Sequence, residues 1–261
     1  MKCAILISLH NSETTLDKAF ESILAQTFQD FRIIAIDDHS TDRTFAKLKK
    51  WQLTFGSEKF FLVKNTHNLG LTKSLNKGLS NITEPYTARI DGDDWWEPSK
   101  LEKQIAFLEA HPDHGIVGCN YRNEKNDIGY PVRCPESDES IKRSLIRRNP
   151  FAHSSVVFRT PLIRDAGGYD EQLHYGQDYE LWLRVSPKTR YHNLQEFLCH
   201  RNANSGLSFD HQNEQMHQCI KTQIRYIKKL HRSPLEYRFL LEPLAVILTP
   251  GFIKDLKRKF L

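Results

Sequence analysis

The sequence predicts an α/β protein: a mostly parallel sheet flanked by helices, with a helical extension at the C-terminus. Three observations carry that prediction. Short β-branched apolar runs alternate with amphipathic segments of helical period through the first half of the chain, and strand–helix–strand crossovers build parallel sheets. Two of those runs end in acidic turns, at 37–38 and at 91–94, and an open parallel sheet gathers its ligands at the carboxyl ends of its strands. From residue 210 onward the character changes to a long helical pattern rich in Lys and Arg.

Residues 2–8 are a short apolar run, read as a buried strand. Ser12 stands where it can cap the next helix, in which Leu16, Ala19, Phe20, Ile23 and Leu24 share one face. Residues 31–36 form a second strand, and the polar turn 37–42 that ends it also caps a helix from about Arg43. Residues 60–64 are a third strand, a helix ends near Asn76 to Ser80, and 86–90 are a fourth strand running straight into Asp91. Pro98 opens a helix that carries Leu101, Ile105 and Leu108 and stops near Pro112. Residues 115–119 and 154–158 read as strands, and Gly167-Gly168-Tyr169 as a turn before a helix containing 179–185. A helix from about Gln212 carries Met216, Ile220, Ile224, Ile227 and Leu230 and ends near Pro234; Pro243 and Pro250 interrupt the final apolar and basic stretch. The expected division is a domain over 1–209, with halves 1–97 and 98–209, and an extension over 210–261.

The chain has 261 residues, 39% of them hydrophobic, enough to bury a sizeable core. Its five cysteines, Cys3, Cys119, Cys134, Cys199 and Cys219, are widely spread and make no Cys-x-x-Cys pair. That argues against a disulfide framework or a zinc site and for a reducing cytoplasm. The first apolar run is too short for a signal peptide, and no apolar stretch reaches the roughly 20 residues that span a bilayer. The net charge is +5, yet residues 221–261 hold ten Lys/Arg against three Asp/Glu, so the rest of the chain carries −2. No basic motif maps onto a nucleic-acid reader. The basic tail has two readings: a patch that meets anionic lipid at the inner face of the membrane, or a helical lid packed on the domain.

Asp91-Gly92-Asp93-Asp94 places three carboxylates in four positions. Asp and Gly are ordinary turn residues, but carboxylates this close repel one another unless a cation is present. Hard oxygen ligands suit Mg²⁺ or Mn²⁺, which bind through one or two carboxylates plus substrate phosphates. A nucleotide diphosphate would complete such a site.

Five blocks then make the reading specific. They are Ile5-Leu6-Ile7-Ser8-Leu9-His10-Asn11, Ser22-Ile23-Leu24-Ala25-Gln26-Thr27-Phe28 with Ile36-Asp37-Asp38-His39-Ser40-Thr41-Asp42, Asn68-Leu69-Gly70 with Asn76-Lys77-Gly78, Ala88-Arg89-Ile90-Asp91-Gly92-Asp93-Asp94-Trp95-Trp96-Glu97-Pro98, and Gly167-Gly168-Tyr169-Asp170-Glu171 with Gly176-Gln177-Asp178-Tyr179-Glu180-Leu181-Trp182. Over roughly residues 3–206 the chain resembles the family 2 glycosyltransferases of bacterial surface-polysaccharide synthesis. The resemblance implies a GT-A fold, a Rossmann-like nucleotide-diphospho-sugar transferase. It implies inverting transfer of a hexose-type sugar from a nucleotide sugar, typically UDP-linked, to a saccharide or lipid-linked saccharide acceptor of a lipopolysaccharide or capsule.

The resemblance also implies roles. Asp38 accepts from the base, with Ser8 and His10 in the same pocket. Asp91 holds the ribose, Asp93 coordinates Mg²⁺ or Mn²⁺, and Asp178 is the general base. Arg201 lies near the diphosphate, and His200 is a further candidate metal ligand. Gln177 stands where the family usually has Glu: if the base is the second residue of that pair, Asp178, nothing is lost, whereas a base at the first position would leave the enzyme impaired. His153, Lys73, Arg89 and the pair Trp95-Trp96, as an acceptor platform, are lesser candidates. Two rivals fare worse. A sugar-nucleotide pyrophosphorylase needs a Gly-rich triphosphate loop after the first strand, and Ser8-Leu9-His10-Asn11-Ser12 contains no glycine. A non-catalytic glycan-binding scaffold has no need of the carboxylates, all of which are present.

Overall fold

The computed structural model describes residues 1–126, 128–203, 211–230 and 232–249. Strand β1 (Cys3–Leu9) is buried at all seven positions, which is why it reads as a continuous apolar run and not an alternating one. It pairs in parallel with β2 (Phe31–Asp37) and β4 (Tyr86–Arg89), and β2 pairs in parallel with β3 (Phe60–Lys64). The crossovers are α1 (Leu16–Leu24), α2 (Thr44–Phe55) and α3 (Leu71–Leu79). Alternate residues of β1 serve two cores. Cys3, Ile5, Ile7 and Leu9 pack with Phe20, Phe31 and Leu48 on one face, and Ala4 and Leu6 with Ile34, Leu75 and Leu79 on the other.

The second half continues the same sheet but changes its hand of pairing. The short β5 (Trp95–Trp96) is followed by α4 (Lys100–Ala110), β6 (His114–Lys125), β7 (Ile128–Val132), α5 (Asp138–Leu145), β8 (Val157–Arg159), α6 (Thr160–Asp165), α7 (Gln177–Val185) and β9 (Arg190–Asn202). The strand order is β3-β2-β1-β4-β8-β6-β9-β5, with β7 off the path on β6. Here β8 runs antiparallel to both β4 and β6, and β5 antiparallel to β9, while β6 and β9 are parallel. The sheet thus runs without a break across the expected boundary between residues 97 and 98.

Two local expectations change. Ser12 does not cap α1 with its side chain; its carbonyl accepts from Thr15 N (3.1 Å) and Leu16 N (3.0 Å), so the helix begins one turn later. The expected strand over 154–158 starts at Val157, because Ser155 N and Oγ both donate to the Ala152 carbonyl and curl His153–Ser155 into a 3-10 turn.

The extension packs on the domain. In α8 (Gln212–Lys229), Tyr226 and Ile227 are buried; Tyr226 donates to Glu180, and Gln223 Nε2 donates to the Arg147 carbonyl at 2.8 Å. A 3-10 segment, Pro234–Leu240, leads into α9 (Leu241–Leu248), whose Glu242 pairs with Arg147 at 2.8 Å. Among the described residues no helix is long and apolar enough to cross a membrane. The basic cluster Lys257-Arg258-Lys259 lies outside the described residues.

Candidate active site

The carboxyl ends of β1, β2 and β4 open on one cleft of about 920 Å³. Asp38, just past β2, is the most heavily bonded carboxylate there. Its Oδ1 accepts from Asn65 Nδ2 (2.8 Å) and Leu69 N (2.8 Å), and its Oδ2 from Gly70 N (2.9 Å). Gly70 sits at φ +83°, a backbone region that a side chain disfavours. The Asn68-Leu69-Gly70 block therefore wraps the Asp38 carboxylate in backbone donors. His10 Nδ1 donates to the Asp38 carbonyl at 2.8 Å, since a carbonyl only accepts. That leaves Nε2 as an acceptor, with Asn11 Nδ2 3.3 Å away.

The acidic turn follows β4. Arg89, with no exposed surface, pairs through Nη2 with Asp91 Oδ1; its Nε and Nη1 have no hydrogen-bond partner among the described residues. Ser154 Oγ accepts from Asp91 N (2.9 Å) and donates to Asp91 Oδ2 (3.2 Å). Burial opposes ionisation of Asp91, but Arg89, His153 and Arg201 outweigh it and hold the carboxyl below the usual carboxylate range. Its neighbours go the other way. Burial, then repulsion from Asp91, pushes Asp93 up to about 6. Burial, then repulsion from Asp93 and Asp91, pushes Asp94 up to about 8, although its Oδ1 accepts from Asn202 N at 2.9 Å. Arg201 reaches the same pocket from β9, its guanidinium 5.5 Å from the centre of the Tyr121 ring.

The opposite wall comes from a distant stretch of chain. Gly176, at φ +66°, turns the backbone into α7 and sets Asp178 in its first helical turn, where the helix dipole favours a carboxylate. Asn149 Nδ2 donates to Asp178 Oδ2 at 2.7 Å, and Asn149 Oδ1 accepts from Phe151 N at 3.1 Å, which fixes the amide's orientation. His153 lies 2.9 Å from the Tyr169 hydroxyl; burial, then the Arg89 charge, pushes its imidazole down to about 4, so it is neutral at pH 7. The far side is closed by Gln215, Gln218 and Cys219 of α8 and by Glu242 and Val246 of α9.

Residues 4–163, more than half of the chain, match the family model described as Glycosyl transferase family 2. This chain belongs to glycosyl transferase family 2. The glycosyltransferase is 34% identical over 202 residues to EpsE of Bacillus subtilis (strain 168), named as a glycosyltransferase, covering 76% of this chain and 71% of EpsE. It is also 34% identical over 186 residues to the amylovoran biosynthesis glycosyltransferase AmsE of Erwinia amylovora, covering 70% of this chain and 68% of AmsE. Among solved structures, S. aureus TarS 1-349 in complex with UDP-GlcNAc superposes with a TM-score of 0.72 at 19% identity, over 95% of this chain and 72% of that one. A mannosyltransferase from Pyrobaculum calidifontis in complex with GDP-Man and Mn²⁺ superposes at 0.67 and 16% identity, over 94% and 69%. The fold is thus GT-A.

In this glycosyltransferase Ser8, His10, Asp38, Asp91, Asp93, Asp178 and Arg201 all line the one cleft. His200, expected as a further metal ligand, does not. Its Nδ1 lies 2.7 Å from Glu124 Oε1, its Nε2 2.8 Å from Glu97 Oε1, and its ring stacks on Trp95. The cause is strand geometry: successive side chains of β9 point to opposite faces, so with Arg201 in the cleft, His200 faces away. The tryptophan platform is corrected too. Trp96 is buried and donates to the Ser154 carbonyl at 2.7 Å, Trp95 lies between His200 and Lys18, and neither lines the cleft. Lys73 is exposed outside it, and Arg89 lies beneath it as the partner of Asp91. Sequence reasoning missed Asn149, Asn65 and Ser154, which act by holding carboxylates. Polar residues of this kind look like any others in a sequence.

Proposed function

We propose that this protein transfers a hexose-type sugar, with inversion, from a UDP-sugar to a saccharide acceptor in surface-polysaccharide biosynthesis, using Mg²⁺ or Mn²⁺. One observation carries the reading: Asp178 and the turn 91–94 face the same cleft from separate segments of chain. Inversion requires the acceptor hydroxyl to attack from the side opposite the leaving diphosphate, so the base and the diphosphate site must stand apart. Asp178 takes the hydroxyl proton. Asn149 occupies Oδ2 of that carboxylate, which leaves Oδ1 for the acceptor. Asp38 and His10 hold the base of the nucleotide, Asp91 the ribose, and Arg201 the diphosphate. The relative named for amylovoran biosynthesis supports the polysaccharide setting, and the UDP-GlcNAc complex of a neighbour supports the donor class.

The acidic turn fits a divalent cation, because the upward shifts of Asp93 and Asp94 come from burial first and from repulsion between neighbouring carboxylates second, and a cation opposes both. Among the described residues no group of three His, Cys, Asp or Glu side chains is arranged to hold a metal alone. The proposed ion would be held through Asp93 and completed by the donor's phosphates. When bound, it would offset charge on the leaving diphosphate. The test is a panel of UDP-, GDP- and dTDP-sugars with Mn²⁺ and the Asp178→Asn variant. Transfer from a UDP-sugar should fall by about 10²–10⁴ in the variant, with UDP binding retained. Intact transfer by Asp178→Asn would remove it as the base.

A further inference from the structure

We propose that the outer face of α9 docks on an anionic lipid surface. Among the described residues eleven large hydrophobic side chains are exposed, and five of them fall within the last stretch of the structure: Leu235, Tyr237, Leu241, Leu244 and Leu248. Leu241 (67% exposed), Leu244 (39%) and Leu248 (78%) recur at the i, i+3, i+7 spacing of a helix and form one stripe. The opposite face of α9 is engaged: Pro243 is buried, Val246 lines the cleft, and Glu242 pairs with Arg147. The helix is therefore held by one face and presents leucine on the other. Scattered exposed leucines are ordinary, but a continuous stripe of them marks a contact surface.

Charge selects the occupant. The sequence directly beyond, 250–261, carries Lys254, Lys257, Arg258 and Lys259 against Asp255, interleaved with Phe252, Ile253, Leu256 and Phe260. Basic residues interleaved with large apolar ones are the composition of segments that lie in a lipid interface, where each Lys or Arg is drawn to anionic headgroups. A second copy of this chain is disfavoured, because it would set two such segments, each of net +3, against each other. The stripe lies on the helix that also closes the far side of the cleft. Docking there would bring that side to the bilayer, where a lipid-linked acceptor resides; this last consequence rests on the proposed transferase activity, whereas the docking itself does not.

The experiment is co-sedimentation of the full chain with vesicles of phosphatidylcholine alone or mixed with phosphatidylglycerol, at low and high salt. Binding to the mixed vesicles, weakened by salt, is the expected result. A triple variant, Leu241→Glu with Leu244→Glu and Leu248→Glu, should bind roughly tenfold less or weaker still. The single variant Leu248→Glu, at the most exposed position, should show a smaller loss with an unchanged melting curve, which separates docking from misfolding. Failure of the wild-type chain to bind anionic vesicles overturns the proposal, as does undiminished binding by the triple variant. Concentration-dependent self-association in light scattering, abolished by the same variant, would give the stripe to a second copy and also overturn it. No donor sugar enters the assay, so its outcome is independent of the transfer test.

Discussion

At the scale of single residues, Asp93 is where pH should act on metal binding. Its carboxyl, raised to about 6, holds a proton that a cation must displace. Mn²⁺ affinity should therefore be nearly constant above pH 7 and fall about tenfold per pH unit below about 6; calorimetric titration between pH 7.5 and 5 reads this directly, and a flat profile would exclude Asp93 as the ligand. The sign for stability is the reverse. Carboxyls raised in the fold stabilise it fully below the ordinary carboxylate range, and that stability is lost as pH climbs to about 8, the value of Asp94. The carboxylates themselves were legible in the sequence, since three in four positions stand out. Their unequal ionisation was not, because it depends on Arg89 and Ser154, and Ser154 is brought to Asp91 only by folding.

At the scale of elements, Gly78 sets how closely α3 packs on β1. A Cβ built there would come within 2.3 Å of Leu6 Cδ1, so α3 can lie this close to β1 only with glycine at the contact. Gly78→Ala should cost about 1–3 kcal/mol through overpacking, read as a lower denaturant midpoint at an unchanged slope. β1, β2 and β4 were legible as short buried runs, and β3, buried only at Phe60, as the apolar run Phe60–Val63 between polar stretches. β5 and β7 were not: two residues make no pattern, and β7 is largely exposed and contains Pro131. β9 has its alternation broken by register shifts against β6, which hides the strand and also hid the outward turn of His200.

At the scale of the whole molecule, donor binding should be visible as stability. If UDP with Mn²⁺ binds the folded chain alone, ligand at a hundred times its dissociation constant adds about 2.7 kcal/mol. A thermal-shift scan should show a rise in Tm that EDTA removes; no rise with both present would count against a UDP-dependent metal site. The family, the parallel first half and the carboxylates at strand ends are legible in the linear chain, because short-range pattern and local turn chemistry specify them. Folding settles which candidates meet in one cleft. It sent His200 and both tryptophans elsewhere, joined Asn149 to Asp178, and folded α8 and α9 over the far wall. Side-chain direction and long-range packing depend on the register of strands far apart in the chain, and a linear pattern does not contain that register.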